Sequence, residues 1–181
     1  MAPAAPMTAE ELLHLNIQDK RSELVRGVLY VREPAGFRHG DVAMQFGLVV
    51  GGFVRQHKLG RTFAAETGFT LQRGPDTVRA ADVAFISTER LPDRDTRGFA
   101  EVAPDLVVEV LSPDNRPGEV LAKVADWLSA GCRLVWVLDP IRREGRSYRA
   151  DGSQVLLGAH DAFDGEDVLP GFSCSLESVL E

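Results

Sequence analysis

Lysine and arginine are missing from the last 32 residues: every one lies before Ala150, while the stretch from there to Glu181 carries seven acids. The formal net charge of −7 therefore sits in the tail, and residues 1–149 balance 20 acids against 20 bases. That pattern excludes a protein that coats nucleic acid by bulk positive charge. It still permits local phosphate contacts, because 17 of the 20 bases are arginine, the better bidentate donor. Cysteine is scarce too. Cys132 and Cys174 make neither a disulfide framework nor a zinc site, so a reducing, cytoplasmic setting is expected. No apolar run approaches the roughly 18 residues of a membrane span. Residues 1–7 lack the charged and apolar parts of a signal peptide and read as a frayed, disordered tail. Neither an internal repeat nor a linker divides the 181 residues, so one domain over 1–181 is expected.

What is there centres on Asp105-Leu106-Val107-Val108-Glu109-Val110-Leu111-Ser112-Pro113, a short β-branched run bounded by proline-containing turns. It reads as a buried central strand, yet it holds a carboxylate, Glu109, in its middle. Burying an ionised carboxylate alone is very costly, so Glu109 is ion-paired with a base, protonated or bound to a cation.

Around that strand, Thr8-Ala9-Glu10-Glu11 fits a capping box for a short helix, and Glu23 to Val31 reads as two strands about a turn at Arg26-Gly27. Apolar residues from Val42 to Val54 fall on one helical face between Gly40 and about His57, with Gly60 as terminator. The pair Gly51-Gly52 either weakens that helix or marks close packing against a neighbour. Three strands follow, at 62–65, 68–72 and 78–86, the last two joined by the turn Arg73-Gly74-Pro75-Asp76. After a long loop and the central strand, Val120, Leu121, Val124 and Leu128 form a helical stripe ended by Gly131. Arg133 to Leu138 is a second buried strand, closed by Asp139-Pro140. Strand, helix and strand with short links predict a βαβ unit with parallel strands. Weaker short strands and turns are expected near 145–148, 153–157 and Val168.

Asp82 is a second carboxylate among apolar neighbours, within the alternating run 79–86, and Lys123, one of three lysines, lies on the helix after Glu109. Two carboxylates and a lysine suit magnesium-dependent phosphodiester hydrolysis: hard oxygens hold the ion, and the lysine offsets charge building on the phosphate. The bland reading of Lys123 is a surface pair with Glu119, four residues earlier, worth ~0.3–0.5 kcal/mol.

From Thr8 to Tyr148 the chain resembles the Uma-type restriction-endonuclease family, formerly a domain of unknown function, within the PD-(D/E)XK nuclease superfamily. The carriers are Glu23-Leu24-Val25-Arg26-Gly27, His39, Ala81 to Ile86, Pro104 to Pro113, Lys123, Trp127, Gly131 and Trp136-Val137-Leu138-Asp139-Pro140. The resemblance implies an α/β (α+β) fold: a restriction-endonuclease-like core with a mixed central sheet flanked by helices, an extra N-terminal hairpin and C-terminal short strands. It implies Asp82, Glu109 and the Val110 backbone carbonyl as ligands of Mg²⁺ or Mn²⁺. The superfamily's lysine, two residues after the second acid, is here Leu111, which puts Lys123 in that role. Ala81 stands where the family usually has proline, and Trp127 where it often has tyrosine, a packing position. Glu23 resembles a further acid near the site, or is an exposed strand-end glutamate. His39 is a phosphate or site contact, or a residue of a helix start. Glu66 has a weak case. Asp105 reads as a turn aspartate, Cys132 as a small buried residue, and Asp139-Pro140 as a strand terminator.

The function implied is a metal-dependent DNA endonuclease of the restriction type, acting as a homodimer with no membrane partner. The competing reading is a non-catalytic nuclease-like module that binds DNA or protein. The enzyme reading places Asp82 and Glu109 oxygens within about 5 Å on adjacent strands. It also puts the Lys123 nitrogen nearer Glu109 than Glu119. It expects Lys123→Ala to abolish cleavage and leave stability nearly unchanged.

Overall fold

The capping box forms as the sequence predicts. In the computed structural model, which describes residues 5–181, Thr8 Oγ1 accepts from the Glu11 N–H at 3.2 Å, and Glu11 Oε2 accepts from the Thr8 N–H at 2.8 Å. This starts α1 (Ala9–His14), whose Leu12 packs with Leu24 and Val78 in a small apolar cluster. Of the expected tail, residues 1–4 lie outside the described residues, and Met7 is tied down by its N–H donating to the Gly27 carbonyl at 2.9 Å. The first hairpin, β1 (Arg21–Val25) and β2 (Val28–Arg32), turns on Arg26 and Gly27, both at positive φ, the geometry that follows the right-handed twist of two paired strands.

The long helix α2 (Phe37–His57) buries Val42, Phe46, Val50 and Val54 in a single i, i+4 stripe. It ends at His57, as the spacing predicts, but Gly60 is not its terminator. Lys58, in the left-handed region, caps it, and Gly60 instead opens β3 (Gly60–Ala64), where a Cβ would stand 2.0 Å from the Ile86 carbonyl oxygen. Gly51 lies against β3: a Cβ there would meet Thr62 Oγ1 at 3.2 Å, while the same atom at Gly52 meets nothing.

The continuous alternation of 78–86 hides a break. β4 (Gly68–Gln72) pairs with β5 (Thr77–Ala80) as the expected hairpin, but the chain then bends at Ala81-Asp82 and β6 (Val83–Ser87) enters another sheet. The halves have different partners, β1 and β4 for β5, β3 and then β7 (Leu106–Val110) for β6. Period-2 patterning cannot reveal such a change of partner. Asp82 thus sits at the joint between two sheets, not inside a strand.

The larger sheet has six strands, in the order β10-β9-β8-β7-β6-β3, with β8 (Leu134–Asp139), β9 (Glu144–Arg149) and β10 (Gln154–Leu157) completing it. β7 and β8 are parallel and joined by α3 (Pro117–Ser129), the predicted βαβ unit, while β6, β3 and β9 run antiparallel to their neighbours. The sheet is therefore mixed. Alternation along β7 turns Leu106, Val108 and Val110 toward α2, and Val107 and Glu109 toward α3. On the α2 face Phe46, Trp136, Phe163 and Phe172 interlock with ring centroids 5.0 to 6.4 Å apart. The C-terminal segment closes that face with β11 (Ala162–Asp164), β12 (Ser173–Ser175) and α4 (Leu176–Leu180). Val168 lies in a turn between β11 and β12 rather than in a strand. Among the described residues no helix is long and apolar enough to cross a membrane.

Candidate active site

Glu109, facing α3 from the middle of β7, is buried with both oxygens engaged. Oε2 accepts from Lys123 Nζ at 2.8 Å and Oε1 from the Trp127 indole N–H at 2.9 Å. The two donors lie four residues apart on α3, one turn of one helical face, so a single helix presents both to the strand. Burial, followed by the charges of Asp82 and Glu23, pushes the Glu109 carboxyl up to about 7 despite the ammonium beside it.

Lys123 does not pair with Glu119, whose carboxylate meets Arg32 at 3.2 Å. The Lys123 ammonium instead has three acceptors: Glu109 Oε2, the Ala80 carbonyl at 2.8 Å and Glu23 Oε1 at 3.1 Å. Burial works against its charge, but Glu109, Glu23 and Asp82 together hold its pKa above the usual lysine value. The nitrogen joins the two sheets, since Glu23 and Ala80 belong to the smaller one and Glu109 to the larger.

Glu23 is no exposed strand end. It is buried on β1, with Oε1 accepting the Ala80 N–H at 3.0 Å and Oε2 the Arg79 guanidinium at 2.9 Å. Burial would raise its carboxyl, but Lys123, Arg79 and the Ala80 amide outweigh it and hold Glu23 at about 2. Arg79 continues the chain of charges to Asp126 on α3 at 2.6 Å.

Asp82, at the joint, accepts the Val110 N–H on Oδ2 at 2.8 Å, and the same oxygen lies 3.2 Å from His39 Nε2 at the start of α2. No bond to its Oδ1 occurs among the described residues. Although burial opposes it, the contacts with His39, Lys123 and Val110 hold the Asp82 carboxyl below the usual aspartate value. Asp82 and Glu109 thus occupy the same corner with opposite shifts, one ionised and one poised near neutrality. They line one cleft of about 720 Å³ together with Glu23, His39 and Lys123. Glu66 also borders it, 3.9 Å from Arg21, with its carboxyl raised mainly by burial.

Glu23, His39, Glu66, Asp82, Glu109, Val110 and Lys123, the residues read from the sequence as site candidates, all line this cleft, and three more support it: Trp127, expected only to pack, and Arg79 and Asp126. Trp127 packs, being fully buried against Phe69, but it is also a hydrogen-bond donor to Glu109. Its spacing from Lys123 was the available signal. Arg79 and Asp126 gave none, because their pairing spans 47 residues. Asp105 stays outside the cleft: it accepts the Ser87 N–H at 2.8 Å and pairs with Arg90. Cys132 is buried with its thiol pushed up to about 12 by burial, and Asp139 accepts the N–H groups of Ile141 and Arg142 as a strand-ending turn.

Among the described residues no group of three or more His, Cys, Asp or Glu side chains converges as a metal cage. The donors on offer are fewer: Asp82, Glu109 and the main chain between β7 and the joint. All are hard oxygens. This fits an ion that takes one or two carboxylates and fills the rest of its shell with water and phosphate, as Mg²⁺ does. A carboxyl that burial and like charges keep at about 7 is also one that a bound cation would stabilise in its ionised form.

No curated protein matches the chain. Among solved structures it is similar to a "putative nuclease belonging to DUF820" from Anabaena variabilis ATCC 29413, with a TM-score of 0.83 at 21% identity over 97% of this chain and 98% of that one. That likeness shows a shared fold over the whole length. Residues 9–177 match the sequence pattern of the Uma2 family, described as "Putative restriction endonuclease". With all but the ends of the sequence inside that match, the chain belongs to the Uma2 family.

Proposed function

We propose that the protein is a divalent-metal-dependent endonuclease of the restriction type that hydrolyses DNA phosphodiester bonds. The observation that carries this reading is the Lys123 ammonium 2.8 Å from Glu109 in the cleft that Asp82 also lines. Asp82, Glu109 and the Val110 carbonyl are the groups that would hold Mg²⁺ or Mn²⁺. When bound, such an ion polarises the phosphate and lowers the pKa of an attacking water. Hydrolysis joins that water's oxygen to phosphorus and breaks one phosphorus–oxygen bond, with a proton reaching the leaving oxygen. Lys123 places a fixed positive charge where negative charge builds on the phosphate. Glu23 acts through it as a positioning residue, because its carboxylate, anchored by Arg79 and the Ala80 amide, fixes the ammonium. His39 and Trp127 orient Asp82 and Glu109 respectively.

A cut through both strands takes two such sites, and a C₂ homodimer is the simplest way to supply them. Light scattering at micromolar concentration tests this. A monomer would leave a nicking activity.

The second reading is a non-catalytic nuclease-like module, and one observation favours it. Both oxygens of Glu109 and both of Glu23 already have protein donors, so the charge cluster is satisfied without a metal. Incubation of plasmid DNA with Mg²⁺, Mn²⁺ or EDTA separates the two. Metal-dependent cleavage that disappears in Asp82→Asn and Glu109→Gln supports the nuclease. Plasmid and single-stranded DNA both left intact in either metal, with no metal-induced rise in melting temperature, support the module.

A further inference from the structure

Phe37 is the first residue of α2, two positions before His39, and its side chain is 95% exposed. It contributes nothing to the core, although the same helix buries Phe46 completely and packs Phe53 partly against the core. It borders the same cleft as Asp82 and Glu109. Two more exposed apolar side chains border that cleft from other elements: Tyr30 of β2, at 46%, and Ile141 after β8, at 64%. The corner is tethered, because the Arg38 guanidinium donates to the Pro140 carbonyl at 3.0 Å and ties the first turn of α2 to the loop carrying Ile141. An isolated exposed apolar residue is ordinary, but three around one charged cleft form a surface suited to a ligand with flat apolar faces.

The rim cations are engaged. Arg32 meets Glu119, Arg38 meets the Pro140 carbonyl, and Arg21 donates to the Glu33 carbonyl with Glu66 nearby. The rim therefore offers few free guanidinium groups to the regular phosphate rows of a duplex. Beside the exposed carboxylate of Asp114, its large free side chains are the apolar and aromatic Phe37, Tyr30 and Ile141. In a paired duplex the bases are stacked and show only their edges in the grooves, so an aromatic side chain meets a base face only where a nucleotide is unpaired. We infer that Phe37 is a stacking platform for an unpaired nucleobase next to the scissile phosphate, so that the preferred substrate is DNA that is single-stranded or locally unpaired at the cut. This inference rests on the nuclease reading and adds the substrate class.

The test uses the whole protein and one DNA strand carrying 2-aminopurine, offered either alone or in a perfect duplex. Binding is read in EDTA, where no cleavage interferes, and cleavage in Mn²⁺. The expected result is tighter binding of the single strand than of the duplex, with a change in 2-aminopurine fluorescence that reports stacking. Phe37→Ala should weaken single-strand binding roughly 5- to 150-fold, the range carried by one base–aromatic stack, and leave duplex binding unchanged. Phe37→Trp should restore it. Because the ring is exposed, Phe37→Ala should melt within about 1 °C of the wild type, so a binding loss is not a folding loss. Phe37→Ala that binds the single strand like the wild type, or weakens strand and duplex equally, overturns the inference. If Asp82-dependent cleavage in Mn²⁺ persists alongside that result, the nuclease reading stands and only the substrate class falls. A wild type that neither binds nor cuts any of these DNAs overturns both.

Discussion

The indole N–H of Trp127 donates to Glu109 Oε1 at 2.9 Å, the oxygen that Lys123 does not use. A buried carboxylate with two charge-assisted hydrogen bonds from one helical face has a fixed rotamer, as a metal ligand needs. Trp127→Phe keeps an aromatic ring in the pocket and removes the donor. It should cost about 1.5–3 kcal/mol at pH 8, the range for a hydrogen bond to a charged group, plus some loss of packing. The cost should shrink at pH 5, where Glu109 is protonated and needs fewer donors. Chemical denaturation at the two pH values measures this, and an equal loss at both would leave only the packing role.

Glu109 itself opposes folding at neutral and alkaline pH. Its carboxyl rises from 4.5 in the free state to about 7 in the fold, so the folded protein binds more protons than the unfolded chain between those values. Stability from this group is therefore lost as pH rises from 4.5 to 7, and the full penalty remains above 7. Glu109→Gln removes it. The variant should be more stable than the wild type at pH 8, on the order of 1–3 kcal/mol, and about equal to it at pH 4.5. Thermal melts at both pH values check this. A variant that melts lower than the wild type at pH 8 would mean that the carboxylate's bonds to Lys123 and Trp127 outweigh its burial.

Lys123 departs from the expectation for a residue needed only in catalysis. Its nitrogen reaches three buried or half-buried acceptors across two sheets, so Lys123→Ala should not leave stability unchanged. Removing one partner of a buried pair leaves the other charge uncompensated, at a cost of roughly 3–5 kcal/mol. Lys123→Ala should lose stability in that range at pH 8, together with any metal-dependent cleavage. Lys123→Arg should recover much of the stability. A loss below about 1 kcal/mol would imply an ammonium far more hydrated than these contacts indicate.

What could be read in the sequence follows from what leaves a local trace. A carboxylate inside a β-branched run marked Glu109 as needing a partner, and the strand–helix–strand spacing put Lys123 on the helix that crosses back over it. The parallel β7–β8 pair and the capping box at Thr8 were legible for the same reason. The bend at Ala81-Asp82 was not, because the alternation of 78–86 continues through it while the pairing partners change. Nor was the charge chain from Asp126 through Arg79 to Glu23, whose members come from α3, β5 and β1. Those contacts depend on how two sheets meet, which no local window contains. Glu23 admits two readings, because a strand-end glutamate looks alike in sequence whether it is exposed or anchors a lysine.

Glu23 and Glu109 share one ammonium and respond to acid in opposite ways. Glu23 is held at about 2 in the fold against 4.5 in the free state, so its contribution is fully present above 4.5 and lost as pH falls toward 2. The shift corresponds to at most ~3 kcal/mol, and both of its neighbours, Lys123 and Arg79, keep their charge throughout that range. Glu23→Gln should therefore destabilise by on the order of 2–3 kcal/mol at pH 7, with the difference from the wild type vanishing near pH 2. Such a variant keeps Asp82, Glu109 and Lys123 but loses the anchor that fixes the ammonium. Its metal-dependent cleavage should fall by one to two orders of magnitude, and its affinity for Mg²⁺ or Mn²⁺ should change far less than in Asp82→Asn. Calorimetric metal titration alongside cleavage rates separates these effects. A loss of metal affinity in Glu23→Gln equal to that in Asp82→Asn would move Glu23 from positioning Lys123 to holding the ion.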